Sequence, residues 1–260
     1  MRLASLRARL ARAGLTLSAT LPPKTYDALV PDVWRIASVR PGTRGVLIVG
    51  NAGRSLWPRF QASPEARLRR NSLDRYTERV LQEAASTLIP PAGVAIYTEK
   101  RDGVYLPMVR LAEFAGLGAP GRIGILIHPV FGPWISFRGL LYLPDAVGPE
   151  RPRSFDPCGG CPAPCVEACP GHVITSDGLD PAACFRTKIR RRECRLACDA
   201  RSACIHGREY SFGTSQIAHH SRFRWHPATV RHALRVLRAP GPTVSRRSRG
   251  LVGLERPSQG

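Results

Sequence analysis

Eight cysteines lie between residues 158 and 204, and their number and spacing could bind iron–sulfur clusters. The first four follow the pattern C-x2-C-x3-C-x3-C and are followed directly by Pro170. Bacterial ferredoxins carry the run C-x2-C-x2-C-x3-C-P, which is one residue shorter. Because a [4Fe–4S] cluster binds one thiolate at each of its four irons, eight thiols match two clusters. The expected metal ligands are Cys158, Cys161, Cys165, Cys169, Cys184, Cys194, Cys198 and Cys204.

Zinc and disulfide bonds are the alternatives for this cysteine set. Zinc sites usually combine two C-x2-C pairs across a loop, whereas this chain has one such pair, Cys158 and Cys161. Disulfides need an oxidising compartment. Residues 1–10 contain no uninterrupted apolar segment of the kind found in secretory signals. We therefore expect iron–sulfur clusters and a cytoplasmic location.

The charge of the chain is strongly positive, with a formal net value of +20. Residues 185–260 contain 17 Lys and Arg against 4 Asp and Glu. Such a surplus attracts phosphates, RNA, anionic lipid or an acidic protein. An ordinary solvated, arginine-rich surface is the alternative. No apolar stretch reaches the length of a membrane span, so no span is expected.

The elements around the cysteines predict an α+β fold. Leu3, Leu6 and Leu10 share one stripe of a basic helix that is expected over residues 1–20. Strands are expected at 45–50 and 94–97, helices after Asn71 and Pro107, and two strands around a turn at 129–133. The expected divisions are a helical segment at 1–40, an α+β core at 41–150, a ferredoxin-like module at 151–212, a helical return at 213–238 and a disordered basic tail at 239–260.

Two further segments resemble a known family. The sequence IHPVFGPWISFRG at 127–139 resembles the core motif of cblC-type proteins, which process cobalamin, and residues 208–220 are similar to a second motif. Joined to this cysteine run, the same region resembles epoxyqueuosine reductase and the corrinoid reductive dehalogenases. The chain thus looks like a cblC-like core joined to an epoxyqueuosine-reductase-like module with two clusters.

The resemblance implies a nitroreductase-like α+β core that binds cobalamin. The expected cofactor-binding residues are Gly121, Arg122, Ile123, Gly124, His128, Trp134, Ile135, Ser136 and Phe137. For His128 a structural role is the alternative, and Arg138 would either contact the corrin or close a hairpin. The resemblance also implies that Cys158, Cys161, Cys165 and Cys204 hold one cluster, and that Cys169, Cys184, Cys194 and Cys198 hold the other. We identify no catalytic residue.

The main functional prediction is a corrinoid-handling oxidoreductase that passes electrons from [4Fe–4S] clusters to a bound cobalamin. One alternative is a tRNA-modifying enzyme like epoxyqueuosine reductase. Another is a ferredoxin-like electron carrier without cobalamin. An electron donor such as ferredoxin or flavodoxin is an expected partner and tRNA a further one. FMN is a further cofactor candidate, because nitroreductase-like folds often bind it.

Overall fold

The central sheet is built from apolar strands that are buried on both faces. The computed structural model describes residues 2–148, 150 and 154–221. Strands β1 (Leu17–Leu21), β2 (Gly45–Ala52), β3 (Gly93–Ile96) and β8 (Ile135–Leu143) form one sheet in the order β1-β2-β8-β3, and every pairing is antiparallel. All eight residues of β2 are buried, which explains why this strand reads as a continuous apolar run.

Helices cover the two faces of this sheet. Val46 and Ile48 of β2 face a core shared with helices α2 (Pro23–Leu29), α3 (Ile36–Val39) and α6 (Met108–Phe114). Leu47 and Val49 face the opposite core, shared with helices α1 (Arg2–Arg12), α4 (Leu56–Gln61) and α5 (Ser72–Ala85). Successive strand residues point to opposite faces, so one strand supplies both cores.

The remaining elements are short. Two small hairpins belong to the core region. A third hairpin and three helices lie in residues 155–207, here called the cysteine segment. Helix α10 is the last described element. These elements are β4 (Lys100–Arg101), β5 (Val104–Tyr105), β6 (Ala119–Pro120), β7 (Leu126–Ile127), α7 (Pro164–Glu167), β9 (Ile174–Thr175), β10 (Gly178–Leu179), α8 (Pro181–Arg190), α9 (Asp199–Ser202) and α10 (Thr214–Ser221).

The prediction of one helix over residues 1–20 is wrong. Helix α1 ends at Arg12, and residues 17–21 form the edge strand β1. Leu17, Ala19 and Leu21 alternate with polar residues and enter one core, whereas Leu6 and Leu10 of α1 enter the other. A short apolar run fits either element, and here pairing with β2 decides in favour of a strand.

The mixed helix-and-sheet class is confirmed, and so are the strands and helices predicted within residues 45–143. The nitroreductase-like core stays a prediction. None of the helices in the described ranges has the length and apolar content that a membrane crossing requires. The predicted basic tail at 239–260, and the helical return beyond residue 221, lie outside the described residues.

The cysteine segment contacts the core through two glycines. Gly132 and Gly207 both have positive φ, at +55° and +63°. A methyl group on Gly132 would overlap the carbonyl of His206, and one on Gly207 would overlap the carbonyl of Phe131. The two backbones therefore approach more closely than any residue with a Cβ atom would allow.

Replacing Gly132 with Ala should weaken this contact. We expect Gly132→Ala to lower the free energy of unfolding by about 2 kcal/mol or more, because it adds overlap to backbone strain. Gly103 is the matched control, since its φ is +79° and a Cβ there meets nothing within 4 Å. Thermal unfolding of both variants measures the difference, and equal destabilisation would contradict the close approach.

Candidate metal centre

A side-chain turn and a short helix position the first thiols. The Asp156 carboxylate accepts hydrogen bonds from the backbone N–H groups of Cys158 at 3.0 Å and Gly159 at 2.9 Å, which reverses the chain. The Cys161 N–H then donates to the Cys158 carbonyl at 3.4 Å. Helix α7 carries Cys165, which is buried. Local hydrogen bonds thus gather three thiols from eight consecutive residues, 158–165.

The later thiols lie on or beside the helices that follow. Cys184 lies on α8, whose first turn is capped by the Asp180 carboxylate. Cys194 belongs to a single 3-10 turn, and Cys198 directly precedes α9. Cys204 follows α9, and its backbone N–H donates to the carbonyl of Arg201 in that helix. Short helical elements therefore set the positions of the later thiols.

Cys158, Cys161, Cys165 and Cys204 form the first thiol group. Burial raises the pKa of the Cys165 thiol, and the neighbouring Cys158 and Cys204 thiols raise it further. Burial also raises the pKa of Cys204, and Cys161 and Cys158 add to the increase. Because repulsion between thiolates falls with distance, these effects indicate that Cys158 and Cys204 lie near Cys165, and that Cys161 lies near Cys204.

Cys169, Cys184, Cys194 and Cys198 form the second thiol group. Burial raises the pKa of Cys184, and the charges of Cys198 and Cys169 raise it further. Burial likewise raises the pKa of Cys194, with added increases from acidic neighbours and from Cys169 and Cys198. The two groups have the membership that the resemblance implies. The role of each thiol as an iron ligand stays a prediction.

The surroundings of the thiols fit an iron–sulfur cluster. Backbone N–H groups donate to two sulfur atoms, from Arg122 to Cys158 at 3.3 Å and from Ala163 to Cys161 at 3.4 Å. Such bonds stabilise thiolates and tune cluster potentials. One buried apolar cluster contains members of both groups and comprises Ile123, Ile127, Cys165, Cys169, Val173, Ile174 and Ala200.

In the described residues, the thiols of neither group converge on the position of a single metal ion. No three His, Cys, Asp or Glu side chains within residues 2–148, 150 and 154–221 converge closely enough to hold a single metal ion. A [4Fe–4S] cluster does not need that convergence, because its thiolates bind four different irons. Four thiolates on one zinc ion at about 2.3 Å would lie only about 3.8 Å from one another.

The nine residues expected at a corrin have different surroundings in the described part of the chain. The turn between β6 and β7, from Gly121 to Gly124, contacts the cysteine segment instead. The Ile123 side chain packs in the same apolar cluster as Cys165 and Cys169. A Cβ atom on Gly124 would lie 2.6 Å from the Leu179 side chain. Atoms of the cysteine segment therefore pack against Ile123 and against the backbone of Gly124.

His128 closes a turn. Its Nδ1 atom accepts hydrogen bonds from the N–H groups of Val130 at 3.0 Å and Phe131 at 3.2 Å. The residue also lines a cavity of about 570 Å³ together with Arg7 and Glu150. Its hydrogen bonds favour the structural role for this histidine, because two backbone N–H groups already donate to its Nδ1 atom.

Trp134 and the residues after it belong to the protein interior. Trp134 is buried, with its ring 5.4 Å from that of Phe212. Ile135 enters the core, and Ser136 and Phe137 pair with β2. Ile123, His128 and Trp134 thus lie in different surroundings, and the role of the nine residues at a corrin stays a prediction.

Arg138 neither lines a cofactor cavity nor closes a hairpin. It is buried, and its Nε donates to Asn51 Oδ1 at 3.1 Å. Its Nη2 lies 3.5 Å from His220 Nε2, and its guanidinium lies over the Tyr97 ring. The Tyr97 hydroxyl donates to Asp74 at 2.9 Å. Burial, aided by Arg138, lowers the pKa of His220 to about 3, so α10 presents a neutral ring to the sheet.

Sequence reasoning missed Arg201. This residue lies on α9, one turn after Cys198, and its Nη2 donates to the Pro133 carbonyl at 2.5 Å. Its guanidinium lies 4.9 Å from the ring centroids of both Trp134 and Phe212. The only sequence signal was its three-residue spacing from Cys198, because the aromatic partners are distant in the chain.

Comparisons with known proteins point to one enzyme. No protein-family model matches the chain. Four curated relatives are epoxyqueuosine reductases, and the Lactococcus garvieae enzyme is 32% identical over 115 residues, which is 44% of this chain and 32% of that enzyme. The matched region therefore spans a third or less of the length of the curated relatives.

Solved structures show a shared fold. An epoxyqueuosine reductase in complex with a modified tRNA-Tyr stem loop aligns with a TM-score of 0.53 and 16% identity, over 82% of this chain and 67% of that one. A C. elegans B12-trafficking protein aligns over 91% of this chain and 96% of its own with a TM-score of 0.49 and 14% identity, which is too low to support an argument. The resemblance to epoxyqueuosine reductase is thus supported, and the joining of two families is not.

The thiol groups can be tested by iron content. In anaerobically purified protein, Cys158→Ala and Cys184→Ala should each lose about four of about eight irons. Cys158→Ala/Cys204→Ala should lose no more iron than Cys158→Ala alone, because both thiols serve one cluster. Cys158→Ala/Cys184→Ala should lose nearly all of it. Equal losses in the two double variants would contradict the grouping.

Proposed function

We propose that the chain is an iron–sulfur oxidoreductase that modifies tRNA, with chemistry like that of epoxyqueuosine reductase. The observation that carries this proposal is the arrangement of eight thiols in two groups of four. The curated relatives supply the substrate class, because all four carry that enzyme's name. The whole reaction is proposed, since the match spans only part of those enzymes.

These findings favour the tRNA-modifying alternative over the corrinoid-handling interpretation. Four curated relatives support the former, whereas the cobalamin-linked structural match is weak. The residues predicted around a corrin are dispersed, as described above. Cobalamin and FMN stay predictions, and the redox proposal rests on the thiols alone.

Two iron–sulfur clusters would supply single-electron transfer. The protein's own residues would set the conditions for it. Cys165 and Cys169 lie in one apolar cluster, so the two groups are adjacent and an electron has a short distance to cross. Ile127, Val173 and Ile174 in the same cluster shield Cys165 and Cys169 from water. The N–H group of Arg122 holds Cys158 and stabilises its thiolate.

Basic side chains near the second group would attract the tRNA backbone. Arg190, Arg191 and Arg192 are consecutive and exposed at the end of α8. Lys and Arg on a surface bind phosphates without reading sequence, and they steer a polyanion toward the site. An acidic ferredoxin or flavodoxin in the cytoplasm would be a suitable electron donor, and the same arginines would suit it.

Anaerobic protein tests the proposed reaction. We expect about eight irons and about eight sulfides per chain. With dithionite as reductant, the protein should convert epoxyqueuosine in tRNA to queuosine, using two electrons and two protons and releasing the oxygen as water. Mass spectrometry of digested tRNA measures the loss of oxygen. Full iron content with no conversion would refute the reaction, and the Cys158→Ala/Cys184→Ala variant serves as the inactive control.

The arginine run predicts salt-dependent tRNA binding. Replacing Arg190, Arg191 and Arg192 with Gln should weaken binding of a tRNA-Tyr stem loop and reduce the slope of log K against log salt by about 2–3. The matched control replaces three other exposed arginines, Arg9, Arg12 and Arg44, with Gln. Fluorescence anisotropy at several salt concentrations measures both. Equal losses of tRNA affinity in the two variants would indicate a general effect of charge. They would contradict a tRNA-binding site at Arg190, Arg191 and Arg192.

A further inference from the structure

Arg201 carries a largely buried positive charge beside the second thiol group. Within the described residues no carboxylate forms an ion pair with it. Its hydrogen bond goes to the neutral carbonyl of Pro133, and its guanidinium lies 4.9 Å from the ring centroids of Trp134 and Phe212. A largely buried cation without an anion is costly, so these contacts alone do not explain its position.

Cys198 is a source of negative charge beside Arg201. Arg201 and Cys198 lie one helical turn apart and line the same small cavity of about 30 Å³. Burial lowers the pKa of Arg201 to about 10, while the charge of Cys198 acts to raise it. Cys198 belongs to a group with three other thiols, whose combined charge would exceed that of a single carboxylate.

We propose that Arg201 is the counter-charge of the second thiol group and raises the reduction potential of the cluster that those thiols hold. This inference rests on the proposed function, because it requires the cluster. A [4Fe–4S] core with four thiolates carries a net charge of −2 when oxidised and −3 after it accepts one electron. A fixed positive charge nearby therefore stabilises the reduced state more than the oxidised state.

The surrounding contacts hold the guanidinium in place. The two aromatic faces attract the cation, and the Pro133 carbonyl orients its plane. Pro133 and Trp134 directly precede β8, so the central sheet determines where the charge lies relative to Cys198. Arg201 is a positioning residue in this proposal, since it acts on the cluster through space.

Redox titration of the full-length protein tests the proposal. Anaerobic protein is reduced stepwise with dithionite, one electron per cluster, and followed by electron paramagnetic resonance. In Arg201→Gln, the cluster held by the second thiol group should change. Its reduced-to-oxidised ratio at the wild-type midpoint potential should fall roughly tenfold. The other cluster should change much less. Arg201→Lys should give a smaller fall, because it keeps the charge but loses the planar guanidinium.

Arg44→Gln is the matched control, since it removes an exposed arginine outside the cysteine segment and should change both ratios less than twofold. Full iron content with unchanged potentials in Arg201→Gln would overturn the inference. If Arg201→Gln loses about four irons and Arg201→Lys keeps them, the charge is required and the proposal stands. Loss of those irons in both variants would refute it. A wild-type protein without iron would instead refute the proposed function.

Discussion

Mutual repulsion among closely placed thiolates is the constraint on which this structure depends. Two groups of four sulfur atoms share one apolar surrounding, and burial and neighbouring thiolates together raise the pKa values of Cys165, Cys184, Cys194 and Cys204. Ionising them all in a low-dielectric site requires positive charge within a few ångströms. Iron would supply most of it, and the N–H group of Arg122 and the cation of Arg201 would supply the rest.

The sheet matters to this centre because it provides fixed attachment points. Its central strand β8 begins directly after Pro133 and Trp134, which contact Arg201. The turn before it holds Gly132, which touches the backbone at His206 and Gly207. With both faces of the sheet covered by helices, these points have little freedom to move. A rigid core therefore fixes the geometry of a cysteine segment whose own elements are short.

The sequence predicted most of the core, because β2, β8 and α5 have strong apolar patterns of the correct period. Strand β1 was missed because a short leucine-rich run fits helix and strand equally well, and only pairing with β2 distinguishes them. Cysteine spacing and a family resemblance anticipated the two thiol groups. The corrin residues were inferred from a contiguous motif, yet strand alternation and a turn send His128, Trp134 and Ile135 to different places.

The order of the cysteines along the chain has a consequence for biosynthesis. The first thiol group takes three members from residues 158–165 and its fourth from Cys204, whereas every member of the second lies between them. A ribosome would thus expose all thiols of the second group before it completes the first. Cofactor delivery during translation would have to wait for Cys204, or leave three sulfurs temporarily exposed to oxidants. Shortening or exchanging one part of the cysteine segment alone would separate the members of the first thiol group. Recombination in evolution would therefore preserve or lose the two thiol groups together.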